Sequence, residues 1–269
     1  MAWFKRHNIG FVALSLVFAA ACANPLNDAP ASVQRILAPT GSLRVGVYAG
    51  SPSSIIAGDS PADARGVGHD LGKALAARLG VPFNAVVFSS NALVLAAVKA
   101  GTVDVTFVNA AEERAQDMDF TSSYMDVEKS FLVPADSPFK SLADIKSADI
   151  RVGVSAGSTS AEELRPLYAH AQLVKVPTLA DARKMLARHE LDAFATNDAI
   201  LFEMSDKLAG SHVLSGHWGL EHFAAAIPKG RDAAISYLNA FIGEAVADGT
   251  VKAAIDRAHL RGTLSRPEN

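Results

Sequence analysis

The stretch Gly101–Tyr124, GTVDVTFVNAAEERAQDMDFTSSY, sets a lone arginine between an apolar strand and a D-F-T turn. Val103 to Val108 is short, rich in β-branched residues and followed by small ones, so it reads as a buried strand. Ala110 to Gln116 has helix-forming composition, with Glu112 and Glu113 in its first turn, where the helix dipole favours acids. Arg114 then lies just past the end of a buried strand, where α/β proteins bind anionic ligands. The plain alternative is a surface arginine paired with Glu112 or Glu113.

Outward from this stretch, the chain reads as strand, helix, strand, helix, strand, used twice without repeating its sequence. Leu43 to Tyr48 and Phe83 to Phe88 are the first strands, parallel to Val103–Val108 if the crossovers are ordinary. Between them lie helices over Asp70–Leu79 and Asn91–Ala100, stopped by Gly80 and Gly101. Ser130 to Val133 leads to Pro134, a natural place for the chain to cross into a second lobe. There the strands are Ile150–Val154, Gln172–Val176 and Leu191–Ala195. Helices follow over Ser158–Tyr168, over Leu179–His189 (Thr178 and Asp181 forming a capping pair) and on through Met204. Phe223 to Ile227 is a returning strand, with helices over Arg231–Ala247 and Val251–Arg257 behind it. Patterning alone gives an α/β fold.

These segments resemble the family 3 extracellular solute-binding proteins, the polar amino-acid receptors of ABC importers. In that family a strand with an aspartate is followed by T-x-x-R and then D-F-S-x-P-Y. The counterparts here are Asp104, Ala111–Arg114 and Asp119–Tyr124. Further anchors are Leu43–Val47, Gly66–Leu71, Arg151–Val154 with Gly157–Thr159, and Ala247–Thr250, so the resemblance runs from about Leu43 to Gly262. It implies a two-lobe periplasmic-binding-protein clamp of type II. Each lobe would be a mixed, mostly parallel sheet flanked by helices, and two hinge strands would join the lobes around a ligand cleft. The expected division is residues 41–133 and 223–265 for the first lobe and 134–222 for the second.

The N-terminal segment carries Lys5, Arg6 and His7, an apolar run from Ile9 to Ala21, and then small residues. That is an export signal over residues 1–23, and its apolar run is too short to span a bilayer comfortably. Residues 24–40 hold three prolines and read as a tether. Cys22, the only cysteine, stands either at a plain cleavage site or in a lipobox that would acylate it. One cysteine allows no internal disulfide, so the core must hold the fold. With 25 basic and 28 acidic residues the formal net charge is −3, which argues against a nucleic-acid partner. The expectation is a periplasmic monomer, anchored to the membrane if Cys22 is acylated.

The resemblance implies that Arg114 forms a two-point pair with a ligand carboxylate, for which its planar fork is suited. Gly157-Ser158-Thr159 follows a strand and opens a helix, so its N–H groups and hydroxyls form an anion pocket, or Ser158 or Thr159 merely caps the helix. Two acids usual in the family are missing. After the first strand stands Tyr48-Ala49-Gly50-Ser51, and Asn197 holds the place of the aspartate that receives an ammonium. A buried ammonium without an acid is costly. Unless Asp198 or Glu221 swings in, the expected ligand is therefore an anionic or polar solute, with Asn109, Asn197 and Tyr48 giving neutral hydrogen bonds.

No cofactor is expected, and no metal: His189, His212, His217 and His222 are scattered and read as solvated or core-edge side chains. A nucleophile elbow and a phosphate loop are both absent from the sequence. The reading is the substrate-binding component of an ABC-type importer, delivering a small carboxylate-bearing solute, an amino acid or a related organic acid, to a membrane permease. The alternatives are a cyclic-acid dehydratase on the same fold, with Glu221, His222 or Asp198 as its acid or base, and a ligand sensor for a membrane receptor.

Overall fold

The computed structural model describes residues 29–264, together with Met1. The chain begins with α1 (Ala31–Leu37), β1 (Leu43–Tyr48), α2 (Val67–Leu79), β2 (Phe83–Phe88), α3 (Asn91–Lys99) and β3 (Val105–Asn109). A 3₁₀ turn over Glu112–Arg114 leads into the long strand β4 (Met118–Val133). Next come α4 (Leu142–Ser147), β5 (Arg151–Ser155), α5 (Ser160–Leu167), β6 (Gln172–Val176), α6 (Leu179–Ala187), β7 (Ala193–Asn197) and α7 (Asp198–Ser205). The short β8 (His212–Val213) precedes β9 (Gly219–Pro228), and α8 (Ile235–Ala247), α9 (Thr250–Arg257) and β10 (Thr263–Leu264) complete the fold.

Strands pair in the order β2-β1-β3-β9-β4-β7-β5-β6. β1 is parallel to β2 and β3, and β5 is parallel to β6 and β7, while β4 and β9 run antiparallel to their neighbours. The result is two mixed, mostly parallel half-sheets joined by β4 and β9, the two-lobe clamp expected from the resemblance. Leu43, Leu71, Leu75, Phe223, Leu238 and Phe241 bury one core around the first half-sheet. Phe131, Val152, Val154 and Leu164 bury another in the second. A third cluster, with Tyr48, Val94, Leu179 and Ile200, crosses between the halves.

Both halves carry the same clasp at the start of their sheets. Arg44 on β1 donates from Nε and Nη2 to the Asp104 carboxylate at 2.9 and 2.7 Å, and its backbone N–H adds a third bond at 3.1 Å. Arg151 on β5 does the same with Asp192, at 3.1, 2.9 and 2.8 Å. Each aspartate N–H returns a bond to the arginine carbonyl, at 2.7 and 2.9 Å. The halves thus share a written element, R-V-G-V at Arg44–Val47 and Arg151–Val154. The expectation of one architecture without any sequence repeat is corrected at this tetrapeptide.

Three further expectations change. Within the segment read as a tether, Ala31–Leu37 is a helix whose Val33 and Leu37 sit in the first core. Gln34 Nε2 also donates to the Leu79 carbonyl at 2.8 Å. An apolar pair at i, i+4 suffices to dock one short amphipathic turn between Pro30 and Pro39. The signal segment, Cys22 and the rest of that tether through Asp28 lie outside the described residues. The helix expected over Ala110–Gln116 is only a 3₁₀ turn, because the Ala110 N–H bonds to the His222 carbonyl at 2.8 Å and continues the ladder. Finally, the chain crosses between halves at Lys129 rather than at Pro134. Lys129 is paired with Gly219 of β9 on one edge and Asn197 of β7 on the other.

The Asp104 carboxylate is fully buried and also accepts from Arg231 Nη1 at 3.0 Å. Asp104→Ala strands two partly buried guanidiniums and should destabilise the protein by about 3–5 kcal/mol. Urea unfolding of the variant checks this; an unchanged midpoint would show that the clasp contributes nothing.

Candidate functional site

Strand ends and helix starts from both halves converge on one crevice, as open α/β sheets require. The first half contributes Tyr48 at the end of β1, Asn91 at the start of α3, Asn109 at the end of β3, and Arg114. Ser155, Ser158, Thr178 and Asn197 come from the second half, and Glu221 from the returning strand β9. The crevice is shut, with about 30 Å³ of open interior, room for only a water or two.

Arg114 is 8% exposed and reaches across this crevice. Its Nη1 donates to the Asn109 carbonyl at 2.7 Å and its Nη2 to the Gly157 carbonyl of the other half at 2.9 Å. Burial lowers its affinity for the proton, with Glu221 foremost among the acids that counter this. The surface pairing with Glu112 or Glu113 is therefore not what the side chain does. Gly157 is the meeting point of the halves: its carbonyl also accepts from Asn91 Nδ2 at 3.1 Å. Its φ is +78°, and a Cβ there would stand 2.7 Å from Ala92 Cα.

Of the residues singled out from the sequence, Tyr48, Asn109, Arg114, Ser158 and Asn197 line the crevice, and Thr159 does not. The Thr159 hydroxyl instead bonds to the Glu163 carboxylate one turn along α5, beside the buried Lys129. Ser158 is held back, since its Oγ and its N–H both donate to the Ser155 carbonyl, at 2.8 and 3.1 Å. Asn109 Oδ1 accepts from the His222 N–H at 2.9 Å. Asn197 caps α7 by accepting from the Ile200 N–H at 3.1 Å, and its Nδ2 donates to Glu221 Oε2 at 2.7 Å. Burial raises the Tyr48 hydroxyl to about 12, so it serves as a neutral group.

Among the residues lining the crevice, the buried polar atoms left without partners belong to two side chains the sequence reading did not single out. Asn91 Oδ1 and Ser155 Oγ are buried and make no hydrogen bond. Their signal was positional: each stands where a strand gives way to a helix or turn at the carboxyl edge of the sheet.

An acid does reach the crevice. Glu221 is 6% exposed, bonded to Asn197, and 3.9 Å from Lys129 Nζ. Lys129 is itself fully buried and held at 2.7 Å by both oxygens of Glu163. The expectation that the site would take an α-amino group less readily held only if neither Asp198 nor Glu221 swung in, and Glu221 lines the crevice. The other acid–base candidates are turned elsewhere. His222 Nδ1 meets Asp126 Oδ1 at 2.8 Å. Asp198 Oδ2 meets His217 Nε2 at 3.0 Å, and burial raises the Asp198 carboxyl to about 6 although His217 opposes this.

Among known proteins, the family model of bacterial extracellular solute-binding proteins, family 3, matches residues 43–259. The ABC transporter glutamine-binding protein GlnH of Bacillus subtilis (strain 168) is 28% identical over 151 residues, covering 55% of this chain and 55% of its own length. A glutamine-binding protein of Geobacillus stearothermophilus is 29% identical over 129 residues, covering 48% and 47%. The chain thus spans about half the length of the curated relatives it matches. The structure of an ancestral arginine-binding protein bound to arginine superposes with a TM-score of 0.70 at 26% identity, covering 81% of this chain and 97% of that one. No helix among the described residues is long and apolar enough to cross a membrane.

Gly157→Ala adds a Cβ that overlaps Ala92 only when the halves are together, besides about 1–2 kcal/mol of backbone strain. The unliganded variant should show a larger radius of gyration by small-angle scattering than the parent. Equal radii would mean that this contact does not govern closure.

Proposed function

Because this chain belongs to the bacterial extracellular solute-binding proteins of family 3, we propose that it is the substrate-binding component of an ABC-type importer. In this reading it captures an amino acid between its halves in the periplasm, as a monomer, and hands it to a membrane permease. The observation that supports this most is the presence of a buried guanidinium, Arg114, and a buried carboxylate, Glu221, in one interlobe crevice. A zwitterion offers the complementary pair of charges, and each desolvated charge in the site needs such a partner.

The ligand carboxylate takes the edge of Arg114 that the Gly157 carbonyl holds, and its ammonium faces Glu221. Asn197 keeps Glu221 in place while Tyr48 supplies a neutral hydroxyl. With so little open interior, the solute enters only when the halves part. It then favours the closed form by as much as it binds that form better. The named relatives make glutamine and arginine natural first probes.

Isothermal titration of the intact protein with amino acids, and with carboxylic acids lacking the amino group, tests the reading. An amino acid should bind tightest, and Arg114→Ala should weaken it by about 2–5 kcal/mol by leaving the ligand carboxylate unpaired. Glu221→Gln should narrow the gap between an amino acid and its deaminated analogue. Wild-type affinity in the Arg114 variant, or preference for the deaminated acids in the parent, would overturn the assignment.

A further inference from the structure

Behind the crevice, on the outer side of the hinge strands, three metal-ligating side chains meet. Glu128 lies on β4 one residue before Lys129, so successive side chains carry it to the opposite face. Asp198 opens α7 one residue after Asn197, and His217 stands in the loop before β9. Each can offer a ligand atom such that all three atoms lie within 4.8 Å of one another.

Their hydrogen bonding is incomplete as an arrangement of protein groups alone. His217 Nδ1 is 3.0 Å from Glu128 Oε1, and His217 Nε2 is 3.0 Å from Asp198 Oδ2. Only the Nε2 contact has hydrogen-bond geometry, and a neutral imidazole that donates there presents a lone pair at Nδ1. The Asp198 side chain is 4% exposed, and its Oδ1 has no partner. Charge is unbalanced too. The charged groups that act on Asp198 are His217 and Glu128, and among the described residues neither carboxylate pairs with a lysine or arginine. The site is walled: at Gly262, with φ +80°, a Cβ would fall 2.3 Å from Asp198 Cβ, and the Gly262 carbonyl accepts from the Glu128 N–H at 3.1 Å.

We propose that Glu128, Asp198 and His217 form a binding site for a divalent transition metal, with zinc as its natural occupant. One imidazole nitrogen and two carboxylates form a donor set suited to zinc with a position left for water. Hard cations that need six or more oxygens find too few here. The ligands come from β4, from α7 and from the entry to β9, so a bound ion ties the two hinge strands to the helix that positions Asn197. This inference is independent of which solute the crevice takes.

The test is calorimetric titration of the chelator-treated full chain with zinc chloride alone near neutral pH, in the absence of any amino acid. One equivalent should bind, with magnesium and calcium failing to compete. His217→Ala, a change at a solvent-facing loop position, should weaken binding by more than about 100-fold, beyond the loss an outer partner of a metal site causes. His222→Ala, which alters a histidine paired with Asp126, should leave it unchanged. No saturable uptake by the parent, equal uptake by the His217 variant, or displacement by magnesium or calcium would each overturn the proposal.

Discussion

The structure turns on a desolvated positive charge whose direct partners are two backbone carbonyls, one from each half. Arg114 is nearly buried, yet no carboxylate touches it; Glu221 supports it only from a distance. A carbonyl dipole is a weaker partner for a guanidinium than a carboxylate, whose two oxygens match its fork. The contact with Gly157 therefore holds the halves together while leaving a stronger acceptor able to replace it. In the proposed function, closure without a solute and capture of one compete for the same edge of one side chain.

Around that charge the polar groups are arranged so that few remain free. Asn109, Asn197 and Ser158 all face the crevice, and each is already held by its own backbone or by a neighbour. Such groups fix the shape of a site more than they read a ligand. Lys129, fully buried beneath them, is neutralised by Glu163 and lies 5.1 Å from the Trp218 ring. Two cations, Arg114 and Lys129, thus stand against two acids, Glu163 and Glu221. A solute without net charge leaves that balance undisturbed.

Most of the architecture was legible in the sequence because strands in α/β proteins are written as short runs rich in β-branched residues. β1, β2 and β6 fall where the apolar runs Leu43–Tyr48, Phe83–Phe88 and Gln172–Val176 begin and end. The site was legible where a residue's task depends on local position. Arg114 follows a strand end, and its placement in the crevice follows from that. Legibility failed where the partner is distant in sequence. Thr159 belongs to the turn that the resemblance marks, but Glu163 on the same helix and Lys129 on β4 draw its hydroxyl away. Glu221 reached the site because β9 pairs with β4 over its length, a register no local pattern reveals. The 3₁₀ turn before β4 shows the same limit, since one bond from Ala110 to His222 outweighed the helical composition of seven residues.

The crossing at Lys129 has a bearing on modularity. β4 runs unbroken through both half-sheets, and β9 pairs with it along the first of them, so neither half owns a full set of strands. Cutting the chain at Pro134 would strip the second half of the strand segment that covers the edge of β7, exposing unpaired N–H and C=O groups. A graft that moves this half onto another scaffold must carry the whole ribbon from Lys129 onward and its antiparallel mate. Recombination at the spine of the molecule is therefore constrained far more tightly than exchange of the loops around its rim.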